Sequence, residues 1–355
     1  MSYFLFQFAR RKDSATLKDL SKIHGTATGL DVSDSFYYIA YMTTSIPSKW
    51  PWTVLVGPTG VGKTAVAEKI AVTFNTDIIV ADSRQVYQGM DIATNKPTLP
   101  DQKRIHRHLI NLVLPTVSFS AGAYKKEAHL VIDTLTEKEK PILIEGGTGL
   151  YIKALLYGLW DGPPKNLSIQ QTLSEMDQRE GALYQKLSEV DPVSAQKIHF
   201  KDRYKIGRAL EVFYTTGRPI SSFHMEHRFS SEPKTPFRMI GLRRDRADLF
   251  RRIDARVDQQ FQKGLIAEIT QTLSDNLSGT LPAMRALGVS HVVSYLQGRQ
   301  TLEDTRSLLK RDTRHYAKRQ MTWFLADPNI VWIDLKADES SDETFDKLAP
   351  LLYKE

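Results

Sequence analysis

Eight consecutive residues constrain this chain more than any others. Gly57, Pro58, Thr59, Gly60, Val61, Gly62, Lys63 and Thr64 spell G-x-x-x-x-G-K-T, preceded by the β-rich run Thr53 to Val56 and followed by a helical pattern from Thr64 to Phe74. In that strand, loop and helix context the glycines let backbone N–H groups converge on an anion, and the helix N-terminus adds its positive dipole end. Lys63 supplies a mobile charge, and the Thr64 hydroxyl can ligate Mg2+. The loop alone leaves open whether the anion is ATP or another pyrophosphate.

Further apolar runs at Asp77 to Ala81, Ile142 to Glu145, Met239 to Leu242 and Ile330 to Ile333 alternate with helical segments. This pattern predicts an α/β fold: a P-loop NTPase-like core with a mainly parallel sheet and helices on both faces. After Gly158, Asp161-Gly-Pro-Pro164 breaks the chain before helical stretches to about Phe223, and Pro233 and Pro236 precede the next strand. The expected organisation is therefore a catalytic core over 49–160 and 237–340, with basic C-terminal helices, and an inserted helical domain over 161–236. Residues 1–48 read as an N-terminal extension. Its apolar start, Tyr3 to Phe8, is too short for a signal peptide, and Asp13, Asp19, Asp31 and Asp34 weaken an organellar presequence. An upstream start ahead of Met42 or a disordered tail would serve equally well, and its role stays open.

Hydrophobic content of 41% and charged content of 25% match a soluble globular chain, and no stretch approaches the roughly 18 apolar residues of a membrane helix. The absence of cysteine excludes a disulfide framework, zinc-thiolate sites and thiol catalysis, and fits a cytoplasmic protein. The net charge of +7 is modest but unevenly placed. Arg238 to Arg256 holds seven arginines against three aspartates, and Arg299 to Arg319 holds seven Lys/Arg against three acids. Such runs are solvated helix faces unless a second signal points to nucleic acid.

Asp82 ends the second strand run and opens Asp82-Ser83-Arg84-Gln85-Val86-Tyr87, at the strand edge where open α/β sheets hold ligands. Its carboxylate can take a proton from a nucleophile attacking across the phosphate site; it can equally cap a helix or support a magnesium ion. Gly146-Gly147-Thr148-Gly149-Leu150-Tyr151 follows the third run. Paired glycines there permit close backbone approach, and Thr148 can offer a hydroxyl to a substrate base.

In order and spacing, Gly57 to Thr64, Asp82 to Tyr87, Gly89-Met-Asp91, Lys96-Pro97, Gly146 to Tyr151, Arg208-Ala-Leu-Glu211 and Lys318-Arg-Gln-Met-Thr-Trp323 resemble the tRNA dimethylallyltransferases, also called tRNA isopentenyltransferases. The resemblance spans Trp52 to Ile333. It implies transfer of a dimethylallyl group from dimethylallyl diphosphate to N6 of adenosine 37 in the anticodon stem-loop of tRNA, with Mg2+, by a cytoplasmic monomer. On that basis Asp82 is the general base, Lys63, Thr64 and Arg256 hold the diphosphate, and Thr148 orients the adenine. Arg256 lies on an Arg252, Arg256, Gln260 stripe at helical spacing. The resemblance assigns tRNA contacts to Asp82, Ser83, Arg84 and Gln85, to Thr148, to Tyr204, Lys205 and Arg208, to Ala286, Gly288 and His291, and to Lys318, Arg319, Gln320 and Trp323.

A helical wheel at about 100° per residue puts Lys310, Arg311, Arg314, His315, Lys318 and Arg319 on one arc, with Leu309, Tyr316, Ala317, Trp323 and Phe324 on the other. The expectation is that the first arc meets phosphates and the second packs. Two positions depart from the family pattern: Val289 stands where relatives often carry an aromatic, and Gln170 where they carry a basic tRNA contact. Competing readings are an adenylate isopentenyltransferase acting on free AMP or ATP, a P-loop small-molecule kinase and an RNA-binding P-loop ATPase. The insertion and the Lys318 to Phe324 motif favour tRNA.

Overall fold

The structure is a computed structural model and describes residues 51–160, 162–226, 233, 235–274 and 282–353. The expected N-terminal extension lies outside them. Strand β1 (Trp52–Val56) leads through the phosphate loop into α1 (Lys63–Thr73) and β2 (Ile78–Ala81). Then come α2 (Leu99–Arg104), β3 (Arg107–His108), α3 (Ala121–Glu137), β4 (Leu143–Gly146) and α4 (Gly149–Tyr157). Five helices follow: α5 (Leu167–Met176), α6 (Ala182–Val190), α7 (Pro192–Lys197), α8 (Arg203–Thr216) and α9 (Ile220–Glu226). The chain returns through β5 (Phe237–Arg244), α10 (Arg246–Gln262), α11 (Leu265–Ser274), a 3-10 turn at Pro282–Arg285, α12 (Val289–Leu296), α13 (Leu302–Leu325), β6 (Ile330–Leu335) and α14 (Ser341–Tyr353).

The six strands form one parallel sheet in the order β3-β2-β4-β1-β5-β6. Val54, Val56, Ile79, Ala81 and Ile144 turn one face toward Tyr124, Ala128 and Ile132 of α3 and Ile152 and Leu155 of α4. The alternate residues Leu55, Ile78, Val80 and Leu143 are also buried. Helix α1 lies against β1, β2 and β4, and α14 packs on α1 and β6. Covering both faces is what makes the strands read as unbroken apolar runs rather than alternating ones.

Two elements escaped the sequence pattern. Strand β3 pairs only Arg107 and His108 with Ile78 and Ile79, too few residues to show a period. Helix α14 lies beyond residue 340, buries Leu348 and Leu352 and ties Asp342 to Lys69 of α1. Within the expected insertion, α5 to α9 share a cluster of their own around Leu173, Leu183, Leu187, Ile206, Leu210 and Ile220. Another cluster joins Val86, Tyr87 and Met90 to Val257, Leu265, Ala286, Val289 and Leu309.

Register positions the site. Gly146 pairs with both Val56 and Ala81, so β1, β2 and β4 end in line and release residues 57–62, 82–96 and 147–148 at one edge. A side chain on Gly146 would collide with the Ala81 carbonyl, a backbone atom that cannot swing aside. Gly146→Ala should therefore destabilise the protein by about 1–3 kcal/mol in denaturant unfolding. Gly207, inside α8 with nothing within 4 Å of an added Cβ, provides the contrast. Gly207→Ala should raise stability by about 0.4–1 kcal/mol in the same measurement.

Candidate functional site

The three loops released at the sheet edge enclose one cleft with α10 and α13. Its walls include Lys63, Thr64, Asp82, Glu145, Arg256 and Tyr316, with an apolar side made by Ile253, Val257, Ala286, Leu287 and Leu309. Gly60 and Gly62 take positive φ, as the tight loop requires. Lys63 Nζ donates to the carbonyls of Gly57 and Pro58, each at 3.0 Å, and Thr64 Oγ1 donates to Glu145 Oε1 at 3.2 Å. Glu145 is buried at the end of β4, with Arg107 at 3.6 Å from its other oxygen.

Helix α10 grips the phosphate loop from outside. Asp245 caps it by accepting from the amides of Ala247 and Asp248, so its basic positions project at four-residue intervals. Arg244 Nε, from the end of β5, donates to the Val61 carbonyl at 2.9 Å. Arg252 Nε donates to the Gly60 carbonyl at 3.0 Å, and Arg256 Nη1 lies 3.3 Å from Thr59 Oγ1. Burial holds both Lys63 and Arg256 below their ordinary pKa ranges, while Asp82 and Glu145 act on both in the opposite direction. The four charges thus act on one another within one cleft.

On the opposite wall, Asp82 Oδ1 accepts from the amides of Arg84 at 2.8 Å and Gln85 at 3.4 Å, a turn that fixes the carboxyl group in the cleft. Thr148 Oγ1 accepts from the Ser83 amide at 2.9 Å, and the Thr148 amide donates to the Ala81 carbonyl at 3.1 Å. Tyr316 of α13 stands beside them. Burial, with Asp82 adding to it, pushes its phenol up to about 12, so it stays a neutral hydroxyl. Lys63, Thr64, Asp82, Thr148 and Arg256, named from sequence, therefore belong to one constellation. Glu145, Arg244, Arg252 and Tyr316 belong with them and were not singled out as site residues. Glu145 closes an apolar strand run, and the Arg252, Arg256, Gln260 stripe continues backward at the same interval through Asp248 to Arg244; these signals could have found them.

The expected RNA contacts divide. Tyr204 and Lys205 are exposed on α8, as are Lys318, Arg319 and Trp323 on α13. The Trp323 indole is 44% exposed, sits against Gly149 and has Lys153 Nζ at 5.4 Å from its ring centroid. Several others are committed to protein partners. Arg208 pairs with buried Glu211 at 2.6 Å and donates to the Pro163 carbonyl; Gln170 donates to the same Glu211 at 3.0 Å. Ala286 and Gly288 are buried, Ala286 as part of the apolar wall, and Val289 packs in the core. His291 bonds Asp312 at 3.0 Å. Gln320 is only 7% exposed; its amide joins Thr59 to Gly147 rather than facing outward.

The basic arc of α13 needs a similar correction. Lys310 reaches Asp258 at 2.8 Å and Arg314 reaches Asp254 at 3.3 Å, both on α10. That part of the arc pairs with carboxylates along the seam between α10 and α13 rather than standing free toward solvent. Conversely Trp323, assigned to the packing side, is on the surface.

The sequence matches the IPP transferase family over residues 85–327. It is 45% identical over 283 residues to a tRNA dimethylallyltransferase 2 of Geotalea uraniireducens, covering 79% of this chain and 91% of that protein. A tRNA dimethylallyltransferase of Geobacter sulfurreducens is 42% identical over 299 residues, covering 84% of this chain and 96% of its own. Among solved structures, the full-length tRNA isopentenylpyrophosphate transferase of Bacillus halodurans superposes with a TM-score of 0.63 at 33% identity, over 86% of this chain and 96% of that one. A eukaryotic dimethylallyltransferase captured acting on tRNA gives a TM-score of 0.68 at 27% identity, over 80% and 73%. The chain is a transferase and belongs to the IPP transferase family, the tRNA dimethylallyltransferases.

Proposed function

We propose that this protein transfers a dimethylallyl group from dimethylallyl diphosphate to N6 of adenosine 37 in the anticodon loop of tRNA. The observation that carries this reading is the single cleft in which a cationic phosphate loop faces a carboxylate across an apolar wall. The backbone N–H groups of Gly60, Gly62 and Lys63, with the Lys63 and Arg256 side chains, receive the diphosphate, and Ile253, Val257 and Leu309 flank its hydrocarbon. Mg2+ would offset the charge of the departing diphosphate; the Thr64 hydroxyl and the Glu145 carboxylate, both oxygen donors, suit such a hard cation.

The chemistry then follows. The C1–O bond to diphosphate breaks as the N6–C1 bond forms, the leaving oxygen keeps the electron pair, and Asp82 takes the N6 proton. An exocyclic amine is a poor nucleophile, so most of the rate comes from positioning and from the cations that stabilise the leaving group. Thr148 orients the adenine. The helices of 161–236, through Tyr204 and Lys205, and the exposed end of α13, through Lys318, Arg319 and Trp323, hold the RNA of a cytoplasmic, monomeric enzyme. An anticodon loop suits such a cleft because its bases can leave the stack for a pocket.

The direct test is mass spectrometry of tRNA before and after incubation with the protein, the donor and Mg2+. A gain of one dimethylallyl group at the adenosine beside the anticodon is the expected product; phosphoryl transfer from ATP, or prenylation of free AMP only, would overturn the reading. Asp82→Asn should lower kcat by at least about 10²-fold while tRNA affinity stays near wild type. Lys63→Ala and Arg256→Ala should raise the donor KM and lower turnover without loosening tRNA. Replacing Lys318 and Arg319 by alanine should weaken binding to different tRNAs alike and flatten the log–log salt dependence by up to about 0.9 per lost contact. Replacing Lys310 and Arg314 should instead cost about 1 kcal/mol of folding stability and leave that slope in place.

A further inference from the structure

Helix α13 carries exposed Lys318 and Arg319 and, immediately after them, a glutamine that points the opposite way. Gln320 Oε1 accepts from the Thr59 amide at 2.8 Å, and its Nε2 donates to the Gly147 carbonyl at 2.8 Å. The amide cannot be reversed, since Thr59 offers a donor and Gly147 an acceptor. One side chain thus spans the phosphate loop and the loop bearing Thr148. Gly147 is shaped for it: a Cβ there would fall on Gln320 Nε2, and would lie 3.6 Å from the Gly57 carbonyl oxygen. The phosphate loop is also held by Arg252 on the Gly60 carbonyl and Arg256 beside Thr59, and α10, which bears both arginines, is fastened to α13 through Lys310 and Arg314. The connections close into a ring around the cleft.

We propose that Gln320 is a positioning residue that fixes the donor and acceptor sites relative to one another and ties both to the helix whose outer face meets RNA. This rests on the transfer reaction proposed above. A buried amide that only satisfied its neighbours would not have to join two separate substrate loops. The loops it joins hold the leaving group and the adenine, and an error of about 1 Å between reacting atoms costs about 10²-fold in rate.

The test compares wild type with Gln320→Met, which preserves the length of the side chain and removes both hydrogen bonds, and with Gly147→Ala, which crowds the same amide from the other loop. Both should lower kcat per folded molecule at saturating donor and tRNA by about 10²-fold, with tRNA affinity and its salt dependence near wild type and the thermal midpoint only a few degrees lower, from the polar groups left unpaired or crowded. Inorganic diphosphate, titrated calorimetrically, should bind about fivefold more weakly because the Thr59 amide is no longer held. A raised tRNA KM with unchanged kcat would make Gln320 an RNA contact. A lowered midpoint with unchanged turnover per folded molecule would make it a packing residue; either result overturns the proposal. If wild type transfers no prenyl group, the reaction reading fails. The diphosphate titration still decides whether the clamp exists.

Discussion

Lys63, Arg256, Asp82 and Glu145 share the cleft, and the rest of the architecture serves to keep them there. Lys63 and Arg256 are pulled below their usual pKa ranges by loss of water, and Asp82 and Glu145 resist that pull. Removing such groups from solvent costs several kcal/mol per ion unless partners and hydrogen bonds offset it. The offset here comes from four different places: the start of α1, the middle of α10, the end of β2 and the end of β4. A polyanion entering the cleft adds to the same opposition, so its binding and the charged state of the two cations favour each other. Affinity for a polyanion is therefore favoured by the charge balance of the cleft itself.

That arrangement depends on a sheet whose strands finish in register. Val56, Ala81 and Gly146 lie level, and the loops that leave them carry the phosphate-binding amides, Asp82 and Thr148. The sheet does not supply Arg256. It comes from α10, which follows β5, and α10 is in turn held by α13 through paired charges. One helix therefore performs two tasks along its length. The first half of α13 fastens α10, and the last turns present Lys318, Arg319 and Trp323 to solvent while turning Gln320 inward.

The fold was legible because both faces of the sheet are covered, which turns strands into apolar runs that stand out between helices. The phosphate loop was legible because its residues act mainly through backbone, so their spacing is the signal. Side chains whose role is set by a distant partner were harder to read. Arg208, Ala286, Gly288, His291 and Gln320 lie in or near segments that resemble RNA-contacting ones, yet Arg208 is taken by Glu211, His291 by Asp312 and Gln320 by two loops. No local pattern distinguishes a basic residue facing phosphate from one facing an aspartate on the next helix. Lys310 and Arg314 show this directly, because the helical wheel gives their direction and not what stands there. Glu145 was read as the end of a strand; its importance comes from Thr64, which the parallel register brings alongside.

The loop bearing Asp82 shows how rigidity is obtained where apolar packing alone would not suffice. Residues 82–96 carry few strand or helix bonds, but Glu268 of α11 accepts from three successive amides, those of Asp91, Ile92 and Ala93, at 2.7 to 2.8 Å. Lys96, buried, donates to Asp91 at 2.8 Å and to Asn111 at 2.6 Å. Val86, Tyr87 and Met90 add an apolar anchor between these charges. The sequence motifs Gly89-Met-Asp91 and Lys96-Pro97 thus hold a wall of the cleft in place rather than enter it. Fixing this loop from behind leaves the Asp82 carboxylate little reorganisation to undergo, which is what the proton transfer proposed for it needs.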